Sequence, residues 1–117
     1  MIDNFYTVVS HDEADGRHTF GIGLNAGHAI FGGHFPGNPV VPGVCTLIII
    51  RQCVESIAGR ALRMASMSQC KFVKAIVPAD SPLQLTVELK DGLQCMASVA
   101  KDGDQLMTVK TTFVPDI

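Results

Sequence analysis

One histidine, His34, lies in a segment whose residue types suit acid–base chemistry. It stands between Gly32-Gly33 and Phe35-Pro36-Gly37, and this density of glycine and proline predicts a chain held in one particular path. Histidine titrates near neutral pH and can remove a proton from a carbon beside a carbonyl group. A ring hydrogen-bonded into a turn is the alternative interpretation.

The residues that follow predict a helix with an uncapped amino terminus. Pro42 is a favoured first helical residue, and Val41 before it has no side chain able to cap backbone amides. The N–H groups of Gly43 and Val44 therefore need an outside acceptor, such as a carbonyl oxygen that gains negative charge during a reaction. Water or a neighbouring loop carbonyl is the alternative acceptor.

The element that must position this terminus is a helix from Pro42 to about Ala58, with Gly59 as its terminator. Its first three turns are apolar on nearly every side. Such a pattern is typical of a buried helix, so the rest of the chain is expected to wrap it.

The remaining segments predict strands by their alternation of apolar and polar residues. His11–Gly16 is interpreted as a turn between the first two strands, which pair as a hairpin, and Gly-containing turns separate the last three. The predicted fold class is α+β, with one central helix wrapped by a curved antiparallel sheet of about six strands in a single domain of residues 1–117. The predicted strands are 5–10, 19–24, 61–77, 83–90, 93–100 and 105–114.

The composition predicts a protein that shares apolar surface with another subunit. Of the 117 residues, 47% are hydrophobic and only 17% are charged, and so small a domain has much surface to cover. Oligomerisation is the expectation, and a buried ligand tunnel is its rival.

Charge and hydropathy argue against nucleic-acid and membrane partners. The net charge is −2, and nucleic-acid binding needs clustered Lys and Arg. The apolar run Leu47–Ile50 is far too short to span a bilayer, and no targeting signal is recognised, so a cytoplasmic location is expected.

Neither cysteines nor histidines are spaced like metal ligands. The four cysteines form no Cys-x-x-Cys pair and have apolar neighbours, which favours four reduced thiols in the core. No metal and no cofactor are expected. The residues concerned are Cys45, Cys53, Cys70 and Cys95, and His11, His18, His28 and His34.

The segment His34–Val44 resembles the signature of the hot-dog-fold β-hydroxyacyl-(acyl-carrier-protein) dehydratases, which include the 3-hydroxymyristoyl- and 3-hydroxydecanoyl-ACP dehydratases. The resemblance continues at Phe72 and at Val77–Asp80, where Ala79 replaces the glycine of the family's Pro-Gly-Asp turn. It implies a hot-dog fold that works as a homodimer or higher oligomer, with an acyl-carrier-protein or acyl-CoA thioester as partner.

The resemblance also implies roles for individual residues. His34 would be the catalytic base, and the Gly43 amide would polarise the thioester carbonyl. A Glu or Asp fourteen residues after the histidine, reaching in from the other subunit, is the family's second catalytic group, and here that position holds Ile48. The residues implied to bind substrate are Gly33, Phe35, Pro42, Val44, Ile48 and Gln52.

Three functions follow as hypotheses. The first is a 3-hydroxyacyl thioester dehydratase of fatty-acid or related acyl or polyene synthesis. The second is a non-catalytic acyl-binding subunit, or one that pairs with a homologue bearing the carboxylate. The third is an acyl thioesterase, which the absence of any carboxylate between Gly16 and Val54 counts against.

Overall fold

One antiparallel sheet wraps one long helix in the computed structural model, which describes residues 4–33 and 40–116. The predicted class and the order of strands and long helix are confirmed. The elements are β1 Tyr6–Ala14, β2 Arg17–Leu24, α1 Ala29–Gly33, α2 Gly43–Ala58, β3 Leu62–Phe72, β4 Leu83–Lys90, β5 Gln94–Lys101 and β6 Asp104–Pro115, with 3-10 turns at Pro78–Asp80 and Asp91–Leu93.

The sheet has six strands in the order β1-β2-β4-β5-β6-β3. Consecutive strands form hairpins at β1–β2, β4–β5 and β5–β6, whereas β3 pairs with β6 across a long separation in sequence. Register shifts interrupt β1 once and β3 twice, and such bulges bend a strand and increase its twist. The two edges are therefore β1 and β3, and both bend.

The helix α2 ends as its sequence predicts. Gly59 adopts the left-handed conformation at φ 72°, and its N–H donates to Glu55 O at 2.8 Å. The side of α2 that faces the sheet carries a buried stripe, and the inner face of the sheet meets it with alternate residues of β4, β5 and β6. The stripe consists of Cys45, Thr46, Ile49, Ile50, Cys53 and Val54.

Within a single protomer, α2 is buried on one side only. Val44 is 63% exposed, and Leu47 and Ile48 are only half-buried. A single sheet covers one side of a helix, so the protomer leaves an apolar face of α2 uncovered.

Two predicted boundaries are wrong. β1 continues to Ala14, because residues 11–14 pair with β2 and the turn is confined to Asp15 and Gly16. β3 ends at Phe72, five residues earlier than predicted, where the N–H groups of Val73 and Lys74 both donate to Leu106 O.

Two further features differ from expectation. The short helix α1 has no counterpart among the predicted elements, since five residues are too few for a periodic apolar pattern. Cys70 is exposed on β3, whereas the other three cysteines are buried as predicted. Within residues 4–33 and 40–116, no helix is long and apolar enough to cross a membrane.

Candidate active site

The amino terminus of α2 has no side-chain cap. Pro42 precedes the helix with φ −59° and ψ 140°, and its carbonyl accepts from the N–H groups of Cys45 and Thr46 at 3.0 and 3.3 Å. No hydrogen bond among the described residues uses the N–H of Gly43 or Val44. Two backbone donors thus stand at the positive end of a 16-residue helix, where developing negative charge is stabilised.

A groove of about 370 Å³ opens beside this terminus. One wall is Val41 and Gly43, and the other is the end of β3 together with the segment that leaves it, Phe72–Ile76. The walls are tied together, because Val41 N donates to Ile76 O at 2.6 Å. The first turn of α2 is therefore reached through a groove held by main-chain contacts.

The residue type at position 43 is set by a close contact with Phe72. A Cβ atom added at Gly43 would lie 2.9 Å from Cζ of the Phe72 ring, closer than real Cβ contacts come. Glycine leaves room for the half-exposed ring against the helix terminus. This contact, and not a left-handed backbone, explains a glycine in the first helical turn.

Ile48 and Gln52 are half-buried on α2, outside the stripe that faces the sheet. Four residues of a helix make about one turn, so the two side chains lie one above the other. Gln52 is held by Tyr6 of β1, whose hydroxyl donates to Gln52 Oε1 at 2.5 Å. The structure thus joins a residue of the first strand to a predicted substrate contact.

Tyr6 is a poor acid in this environment. Burial is the main cause that raises the pKa of Tyr6 to about 12, with smaller contributions from Cys53 and Glu55, while Arg51 opposes them. Near neutral pH the phenol therefore stays protonated and acts as a hydrogen-bond donor.

The buried thiols near the site are not activated nucleophiles. Burial raises the pKa of Cys45, raises that of Cys53 to about 12 and raises that of Cys95 to about 11. A thiol needs a lowered pKa to react as thiolate near neutral pH. These cysteines act as packing residues of the core, as the sequence predicted for them.

Two buried polar atoms have no hydrogen-bond partner within the described ranges. They are Oγ1 of Thr46, in the stripe that faces the sheet, and Nε of Arg51, one turn after Ile48. The same residues contain no group of three or more His, Cys, Asp or Glu side chains arranged to hold a metal ion.

The predicted catalytic residue His34 lies outside the described residues, as does Phe35. The described chain is well anchored on both sides of them. Before residue 34, Phe31 of α1 is buried and stacks on Phe5 with ring centroids 5.3 Å apart. After residue 39, Val41 is fixed to Ile76 and Pro42 begins the helix turn.

The structure brings together Pro42, Gly43 and Val44 at the helix terminus, and places Ile48 and Gln52 further along the same helix. Sequence reasoning missed Tyr6 and the 73–76 wall of the groove. Tyr6 is the only tyrosine of the chain and opens a strand, yet no local pattern predicts that it reaches a helix residue 46 positions away. The wall was missed because 61–77 was predicted to be one continuous strand.

Comparisons with known proteins point to one family. The sequence model of the ApeI-like family, described as ApeI dehydratase, matches residues 10–110. The 3-hydroxyacyl-[acyl-carrier-protein] dehydratase FabZ of Latilactobacillus sakei is 32% identical over 101 residues, which cover 78% of this chain and 72% of the relative. The FabZ of Lactiplantibacillus plantarum is 30% identical over 137 aligned positions, which cover 97% of this chain and 88% of the relative.

A solved structure shows the same fold. The dehydratase heterocomplex ApeI:P from Xenorhabdus doucetiae contains a chain that matches with a TM-score of 0.77 at 17% identity, covering 92% of this chain and 96% of that one. The predicted hot-dog fold is thereby confirmed.

Proposed function

Because this chain belongs to the ApeI-like dehydratase family, we propose that it removes water from a 3-hydroxyacyl thioester and forms the trans-2-enoyl thioester. The observation that carries the proposal is the uncapped terminus of α2, where the N–H groups of Gly43 and Val44 have no hydrogen-bond partner among the described residues and a groove opens at Gly43. The names of the FabZ relatives support a substrate carried on acyl carrier protein.

In the proposed reaction His34 takes a proton from the carbon next to the thioester carbonyl. The electrons of that C–H bond move towards the carbonyl, and the Gly43 N–H stabilises the negative charge that grows on its oxygen. The same electron pair then forms the C=C bond as the C–O bond to the 3-hydroxyl breaks. His34 returns its proton to the departing oxygen, so that one water leaves and the histidine is regenerated.

The apolar residue at position 48 suggests a second candidate, in which another subunit supplies the carboxylate. The family resemblance predicts a carboxylate at this position, and the ApeI:P structure is a heterocomplex by its name. A heterodimer with a related protomer that carries the carboxylate would supply the missing group. In that case this chain alone is slow and the mixed dimer is fast.

The experiment offers the purified chain a (3R)-hydroxyacyl-carrier-protein and measures enoyl product and free acid. Wild type is expected to release enoyl thioester, and His34→Ala to lose activity by ~10²–10⁴, the usual worth of a general acid–base group. His11→Ala is the matched control, because His11 lies on the β1–β2 hairpin and contacts His18 and Phe20.

Three outcomes decide between the hypotheses. Full activity of His34→Ala contradicts the proposal. Turnover only after a carboxylate-bearing homologue is added favours the heterodimer. Free acid as the main product favours a thioesterase.

A further inference from the structure

A hydrogen bond between Tyr6 and Gln52 ties the first strand to the central helix. Tyr6 begins β1, and its hydroxyl donates to Gln52 Oε1 across a separation of 46 residues. Both side chains are half-buried, so solvent competes less with this contact than it would on an open surface.

The contact distinguishes the two edges of the Gln52 amide. The oxygen of a glutamine amide only accepts hydrogen bonds, and its nitrogen only donates them, with two hydrogens. Because Tyr6 donates to the oxygen, that edge of Gln52 faces β1 and the nitrogen edge faces away from Tyr6. The phenol thus favours the orientation in which the amide oxygen faces β1.

We propose that Tyr6 is a positioning residue, which sets Gln52 to donate a hydrogen bond to the 3-hydroxyl of a substrate bound at the helix terminus of the other subunit of a dimer. Gln52 lies nine residues after Gly43, about 14 Å along the axis of α2, which is too far for it to reach a substrate whose carbonyl lies at the Gly43 amide of its own protomer. This inference rests on the proposed dehydratase function. Gln52 lies one turn after Ile48, about 6 Å along the axis. A donated hydrogen bond stabilises the negative charge that grows on a leaving oxygen. In the family that this chain resembles, a carboxylic acid assists catalysis at position 48, and here that position holds Ile48.

Tyr6 acts through Gln52 and not as an acid. With a pKa raised to about 12, the phenol keeps its proton throughout the neutral range. It therefore remains a donor to Gln52 while the reaction proceeds.

The kinetic test compares Tyr6→Phe, Gln52→Leu and the double variant in the dehydration assay. Tyr6→Phe is expected to lower kcat roughly two- to tenfold, the worth of one neutral hydrogen bond, with a smaller change in KM. Added to Gln52→Leu, the same change is expected to have almost no further effect, because Tyr6 then has no amide to orient. Independent, multiplying losses would overturn the proposal.

A spectroscopic test reads the contact without turnover. The chain has one tyrosine and no tryptophan, so tyrosinate absorbance reports Tyr6 alone. Wild type is expected to titrate at about 12, Gln52→Leu at lower pH because the acceptor that favours the neutral phenol is gone, and Gln52→Glu at higher pH because a negative charge opposes ionisation. Ser56→Ala, an exposed change on the same helix, is the matched control and should titrate like wild type.

The two arms separate the failure of this inference from the failure of the proposed function. No dehydration by wild type, alone or with a homologue, overturns the function. Active wild type with unchanged kinetics in Tyr6→Phe overturns the positioning role alone. Equal titration midpoints in wild type, Gln52→Leu and Gln52→Glu overturn the contact on which that role rests.

Discussion

Ile48 is the residue at which this chain departs from the pattern it otherwise resembles. It is half-buried and lies outside the stripe of α2 that packs on the sheet. A carboxylate at this position would keep contact with solvent or a neighbouring subunit, so the desolvation cost of its charge would be modest. The fold therefore tolerates an acid at position 48. Ile48 instead leaves this position without a group that can exchange a proton.

Restoring the acid with Ile48→Glu is expected to raise kcat by ~10², within the range of a general acid–base group. Ile48→Gln is the matched control, since glutamine has nearly the same shape as glutamate but its amide cannot exchange a proton near neutral pH. Single-turnover dehydration of both variants measures the difference. Equal rates would show that position 48 takes no part in proton transfer.

At the scale of elements, the helix terminus and the groove beside it work as one unit. Gly43 admits the Phe72 ring, and the Val41–Ile76 hydrogen bond holds the opposite wall in place. The chain segments on either side of residues 34–39 are fixed by packing and by main-chain bonds. The residue at position 43 therefore affects both the access of a ligand to its backbone N–H and the width of the groove.

Gly43→Ala is expected to lower kcat/KM while changing the free energy of unfolding by less than about 1 kcal/mol. Alanine improves helix propensity by up to about 1 kcal/mol, and the half-exposed Phe72 ring can rotate away from the new methyl group. The ring and the methyl then occupy the approach to the first helix amides. Dehydration assays and urea unfolding measure the two effects.

Gly27→Ala is the control for adding a methyl group, because its Cβ would meet only Asn25 Oδ1, at 3.5 Å. A loss above about 2 kcal/mol in Gly43→Ala, the size of an overpacked core, would contradict the conclusion that the ring yields.

At the scale of the whole molecule, the protomer exposes one edge of its sheet and apolar residues next to it. β3 is an edge strand of 11 residues, and its residues from Ala65 onwards are exposed. Val44 on α2 and Phe72 at the end of this strand are exposed apolar residues on either side of Gly43. An exposed edge strand pairs readily with another chain, so we expect a dimer formed along β3.

Light scattering is expected to give about twice the 12.5 kDa of one chain. Met67→Lys is expected to weaken the dimer, since a lysine on an edge strand opposes pairing. Met67 lies opposite the buried Thr111, on the inner side of that edge. Met96→Lys is the matched control, because this methionine is similarly exposed, 41% against 38%, but lies on the interior strand β5. A monomer in wild type, or equal effects of both variants, would contradict the β3 interface.

Local patterns in the sequence were sufficient for most of the architecture. Alternation defined β4, β5 and β6, and Gly59 marked the end of α2, because these signals depend on neighbours within a few residues. The uncapped terminus at Pro42-Gly43 was predictable for the same reason: it needs only the absence of a capping side chain. The length of β3 was not predictable, because Leu106, which receives Val73 and Lys74, is more than 30 positions away.

The sequence by itself determined the fold class and the position of the helix terminus, whereas the expectation of a carboxylate at the position of Ile48 came from the resemblance to the dehydratase signature. Only the tertiary structure decided that Phe72 packs on Gly43, that Tyr6 holds Gln52 and that one face of α2 stays uncovered. The first group follows from the types and order of adjacent residues. The second depends on how distant segments meet when the sheet closes over one side of the helix, and no local periodicity contains that information.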